Sequence, residues 1–160
     1  MRKRFSTPVL LAALLLSGCQ TPQGKFSQEQ ISAMKTWGFT ENAGDWSLGM
    51  SDKILFDTNN YQLKTDSRQQ IQTMARKLAA TGLMHARMDG HTDNYGEDRY
   101  NEALSLKRAD QVADAWAEGA HISRTNLTTR GLGKMYPVAS NKTSQGRAEN
   151  RRVTVVISAP

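Results

Sequence analysis

Gly90-His91-Thr92-Asp93 closes a strand-like segment, and Asn101, Ser105 and Arg108 follow it at i, i+4 and i+7. That spacing puts three polar side chains on one face of a helix. The strip they form runs beside the apolar stripe of the same helix, so its groups must be satisfied inside the protein or hold a ligand. Asp93, at the mouth of the strand, is placed to meet it. Two chemistries are open: an internal Asp93–Arg108 ion pair that pins strand to helix, or a site that takes a ligand between the two. Catalysis and metal binding find less support. His91 lacks a third metal ligand at workable spacing, because His85 and His121 sit in other elements. Serine hydrolase motifs, a glycine-rich phosphate loop and a well-spaced pair of carboxylates are missing. Glu97 and Asp98 read as helix N-terminal residues favoured by the helix dipole. The expectation is a binding protein with no enzymatic activity, no cofactor and no metal.

These residues need elements to hold them. From Trp46 the pattern is strand-like and ends in Ile54-Leu55-Phe56, and a polar loop over 57–61 leads into a helix from about Thr65. Ile71, Met74, Ala75 and Leu78 recur there at helical spacing, and Gly82 ends the element. A strand over about 86–91 follows. The longest periodic stretch, about 97–118, carries Leu106, Ala109, Ala113 and Trp116 along one stripe, with Gly119 as its stop signal. A short strand over 127–131, a helical turn near 145–150 and a last strand over 153–158 complete the pattern. Strands alternating with helices predict an α+β fold, a two-layer domain with a mixed sheet and helices packed on one face.

Gly90 to Asp93, Tyr100-Asn101, Leu104-Ser105, Arg108-Ala109 and Val112 resemble the signature of the OmpA-like C-terminal domain. Leu55-Phe56 with Leu63 upstream support the resemblance, as do Gly131-Leu132-Gly133, Pro137, Asn141, Gly146-Arg147-Ala148 and Asn150-Arg151-Arg152-Val153 downstream. It spans roughly residues 46–158 and implies a two-layer βαβαβ domain that binds the peptidoglycan stem peptide at diaminopimelate, whose side chain ends in an amino and carboxylate pair. On that reading Asp93 accepts from the ammonium and Arg108 forks onto the carboxylate. The resemblance also brings Thr58 and Asn59 of the first loop to the ligand, beside Asn101 and Ser105. Thr58 departs from the aromatic residue common at that position, which opens one wall of the pocket. Arg147, Asn150 and Arg151 read as structural, holding the last turn against the site, with a basic rim for the glycan as the alternative.

The N-terminus supplies an address. Arg2, Lys3 and Arg4 precede an apolar run over 9–16 that is too short to span a bilayer, the layout of a secretory signal over 1–18. Leu16-Ser17-Gly18-Cys19 resembles the bacterial lipobox, which implies lipidation of Cys19, the single cysteine of the chain. Gln20 in place of Asp implies sorting to the outer membrane, with the domain facing the periplasm. Several acyl chains, each methylene contributing about 0.8 kcal/mol, make such an anchor stable. Removing residues 1–18 takes away three of the 21 basic residues and none of the 15 acidic ones, so the formal charge falls from +6 to +3. No nucleic-acid footprint remains.

Residues 19–45 read as a lipid-anchored linker interrupted by one short helix, with the domain over 46–160. Ser27 and Gln30 make a capping box and Gly38 stops the turn. Ile31, Met34, Trp37 and Phe39 form an apolar set that either packs on the domain or meets a partner. The chain also resembles a lipoprotein branch of the family, which implies capture of a periplasmic repressor and release of an inner-membrane diguanylate cyclase. This apolar set is the sequence feature that would serve it.

Overall fold

The structure, a computed structural model, describes residues 25–58 and 60–159. Ser27 and Gln30 cap each other reciprocally at 3.0 and 3.1 Å and start α1 (Gln28–Thr36). Two strands follow, β1 (Thr40–Asn42) and β2 (Asp45–Ser51), then a single helical turn, α2 (Asp52–Leu55). The helix α3 (Thr65–Ala79), β3 (Ala86–His91) and the long α4 (Asp98–Ala120) come next, and β4 (Leu127–Gly131), α5 (Ser144–Asn150) and β5 (Arg152–Ile157) end the chain. The sheet order is β1-β2-β5-β3-β4. Only β3 and β4 pair in parallel, so the sheet is mixed as the sequence predicted.

One face of the sheet is apolar. Leu48 and Met50 of β2 lie opposite Val155 and Val153 of β5, and Met88 of β3 lies on the other side of Val155. Against this face pack Ile71, Met74 and Leu78 of α3 and Val112, Ala113 and Trp116 of α4, in one continuous core.

Four expectations are corrected by packing. The strand expected to end at Phe56 stops at Ser51, whose hydroxyl accepts from the Lys53 amide and starts α2, leaving Ile54 exposed and Leu55 buried. Leu106 lies off the buried stripe of α4 at 39 % exposure. Gly119 does not end α4, which runs to Ala120 and caps on His121 in the left-handed region. It marks instead the crossing with α3, where any added side-chain carbon would strike the Gln72 backbone.

The fourth concerns the linker. From Phe26 on, the described part of the segment read as linker belongs to the domain, and of the two fates open to its apolar set packing is the one that forms: Met34 and Phe39 are buried in the core, and Ile31 and Trp37 lie half-buried against it. Gln30 Nε2 also donates to the Thr81 carbonyl at 3.1 Å. The periodic apolar residues of so short a helix look exposed when only its own neighbours are considered. Ile31 and Phe39 lie around one hollow with Trp46, and Trp37 borders another with Ile71 and Met74 of α3. Cys19 and the signal segment lie outside the described residues.

Candidate functional site

Strand register assembles the site. His91 of β3 and Ser51 of β2 both stand opposite Arg152 of β5. The neighbours of these residues, Asp52, Arg151 and Asp93, therefore meet at one end of the sheet. The Asp52 amide donates to the Arg151 carbonyl at 3.0 Å and ties the first two together. Gly90 lets α4 approach beneath: a methyl group there would collide with the Ser105 carbonyl. That close approach carries Arg108 to the same place.

The result is a chain of alternating charges on the floor of a cleft of about 590 Å³. Asp93 Oδ2 accepts from Arg151 Nη1 at 2.7 Å. Arg151 Nε reaches Asp52 Oδ2 at 3.2 Å, and Arg108 Nη1 reaches the same oxygen at 3.4 Å. Arg108 Nε donates to the Asn60 carbonyl at 3.1 Å, and its guanidinium lies 5.1 Å from the centre of the Phe56 ring. Asp93 Oδ1 accepts from the Tyr95 amide at 3.0 Å. Burial pulls the Arg108 guanidinium below its usual value, Asp52 opposes that and Arg151 adds to it. Asp52 Oδ1 is buried with no partner among the described residues.

The direct Asp93–Arg108 pair that the sequence left open is not what forms, because Arg151 stands between them and Asp52 takes Arg108. Of the other expected site residues, Thr58 and Asn101 line the cleft, and Asn101 Nδ2 donates to the Tyr95 carbonyl at 2.7 Å. Ser105 shares their helix face but points elsewhere. It is fully buried, its hydroxyl donating to the Glu102 carbonyl and accepting from the Gly133 amide. Asn59 lies outside the described residues. Asn150 holds the Val138 and Ala139 amides and is structural, as expected. Arg151, read as structural, instead lines the cleft.

Asp52 went unnoticed because nothing in its sequence surroundings marks it: only the Ser51 cap turns the chain so that its carboxylate faces inward. Arg151 carried a signal in Asn150-Arg151-Arg152. A second charge cluster, on the open face of the sheet, was also missed. Arg130 and Arg87 both hold Asp89, at 2.7 and 3.1 Å, beside His91 and Arg152.

The family model described as OmpA family matches residues 55–151, which contain α3, β3, α4, β4 and most of the cleft. The chain belongs to the OmpA family. The Escherichia coli (strain K12) protein named as the lipoprotein YfiB is 69 % identical over 160 residues, all of both chains. The outer-membrane lipoprotein YfiB of Pseudomonas aeruginosa is 45 % identical, over 90 % of this chain and 86 % of its own. Among solved structures, the peptidoglycan-associated lipoprotein from Burkholderia pseudomallei superposes with a TM-score of 0.56 at 30 % identity, over 64 % of this chain and 86 % of that one. The OmpA-family match takes in Asp93, Arg108 and Arg151 of the ion chain and begins after Asp52.

Proposed function

We propose that this chain is an outer-membrane lipoprotein, anchored through Cys19, whose domain grips peptidoglycan without catalysis by binding the diaminopimelate of the stem peptide. The names of its relatives support the lipoprotein and wall-binding parts of this reading. The observation that carries the rest is the floor of the cleft, where two carboxylates and two guanidiniums alternate at low exposure. A zwitterionic side chain matches that pattern. Its ammonium takes Asp93 from Arg151, and its carboxylate takes the fork of Arg108, for which Asp52 at 3.4 Å is a distant partner. Every charge remains paired throughout, so a ligand enters without stranding a buried ion.

The test is co-sedimentation of the full-length chain, held in detergent, with purified sacculi. Wild type is expected in the pellet and Asp93→Ala and Arg108→Ala in the supernatant, with no muropeptide released. If all three behave alike, the clamp is wrong.

A second role, capture of a periplasmic repressor, is favoured by one feature. Trp37 and exposed Ile54 border an apolar groove of about 270 Å³ that also includes Leu48, Met50, Ile71 and Met74. Met34 and Phe39 are core residues and leave the contact set, so Ile31 and Trp37 remain. Trp37→Ala is expected to lower repressor capture while sacculus binding persists; capture equal to wild type would remove this role.

A further inference from the structure

The sequence contains four tyrosines, Tyr61, Tyr95, Tyr100 and Tyr136, and all four are exposed, at 41, 65, 59 and 64 %. Of the other large aromatics among the described residues, Trp46, Trp116, Phe39 and Phe56 are buried and Phe26 and Trp37 are half-buried against the core. The tyrosines are also grouped. Tyr95 and Tyr100 line the cleft. Tyr61 follows Asn60, whose carbonyl Arg108 holds, and the Tyr136 carbonyl accepts from Arg152, the neighbour of Arg151. Every tyrosine thus sits at the one end of the sheet where the cleft opens.

We propose that Tyr95 and Tyr100 form a saccharide platform at the mouth of the cleft, on which hexosamine rings of the glycan strand stack while the attached stem peptide enters between Asp93 and Arg108. This rests on the wall-binding reading above and extends it from peptide to sugar. A pyranose ring presents a face of C–H groups and an edge of hydroxyls, and a phenol presents an apolar face and a polar tip. The Arg147 guanidinium lies 4.9 Å from the centre of the Tyr95 ring and is itself anchored on the Asn141 carbonyl, which steadies the ring. Asp93, Arg108, Tyr95 and Tyr100 line the same cleft, and two stem residues separate diaminopimelate from the sugar. The peptide bound on the floor then delivers the sugar to the rim.

A protein partner fits this surface less well. A stable interface needs on the order of 800 Å² per side around an apolar centre. Between the two tyrosines lie Gly96, Glu97, Asp98 and Arg99, all exposed, so the surface around them is polar and charged rather than apolar.

Titration calorimetry of the full-length chain would compare two ligands: a diaminopimelate-containing tripeptide, and the same tripeptide carrying its N-acetylglucosaminyl-N-acetylmuramyl disaccharide. Wild type is expected to bind the second about tenfold more tightly, the order of one or two aromatic contacts. The double variant Tyr95→Ala, Tyr100→Ala should bring that ratio to near one, and the Tyr95→Phe, Tyr100→Phe pair should retain most of it. A wild-type ratio of one overturns the platform and leaves the tyrosines to a protein partner. An unchanged ratio in the alanine variant overturns it too. Failure of wild type to bind either ligand overturns the diaminopimelate clamp itself, and the platform with it.

Discussion

Asp52 is where a single side chain does most to hold the cleft. One of its oxygens receives both Arg108 and Arg151, and the other is buried without a described partner. Replacing it with asparagine keeps the shape and removes the charge, leaving two guanidiniums with only Asp93 between them. Asp52→Asn is therefore expected to lower unfolding free energy by about 1–3 kcal/mol, read as a lower midpoint in urea. Arg108→Lys probes the ligand side: lysine keeps the charge but loses the planar fork, the bond to the Asn60 carbonyl and the contact with Phe56. Sacculus binding should weaken by at least tenfold; wild-type binding would mean that charge alone suffices. At this scale the sequence was half legible. Asp93, Arg108 and Asn101 stand out by their offsets on one strand end and one helix face. Ser105 shares the same spacing yet turns inward to Gly133, because a face of a helix is wider than a pocket. Asp52 could not be found, since its place depends on a cap and a strand register.

At the scale of elements, α1 separates linker from domain. Its Met34 is fully buried, so Met34→Ala is expected to cost about 2–5 kcal/mol, as a core truncation does. A flexible tether would show no such loss. Gly119→Ala tests the α3–α4 crossing, where the added methyl meets the Gln72 backbone and forces the helices apart. A loss of about 1–3 kcal/mol is expected by thermal unfolding, against a small gain if Gly119 were merely a helix residue with space around it. The periodicity of α3 and α4 made both helices legible, because each repeats its apolar positions over several turns. Nine residues of α1 give too few repeats to reveal which neighbour buries them. Gly119 illustrates the converse difficulty: sequence shows that a glycine is present, and only packing shows whether it ends a helix or admits another.

For the whole molecule, pH is the informative variable, because the open face of the sheet joins β3, β4 and β5 through charge. Burial, followed by Arg152, lowers the affinity of His91 for a proton, against weaker opposing effects of the Met135 carbonyl and Asp89. A histidine depressed in the folded state stabilises fully above its unfolded value of about 6.5, and that contribution is lost as pH falls through the lower folded value. Burial alone would raise the Asp89 carboxyl, but Arg130 and Arg87 together hold it below its usual value. Its contribution has the same sign and a lower window, present above about pH 4 and lost as pH falls further. Thermal melts should therefore show a first decline on acidification below neutrality and a second below about pH 4. His91→Gln is expected to remove the first decline and spare the second, and Asp89→Asn to do the reverse while lowering stability at neutral pH, since it removes the carboxylate that Arg87 and Arg130 share. If His91→Gln leaves the first decline intact, the open face does not report pH in that range.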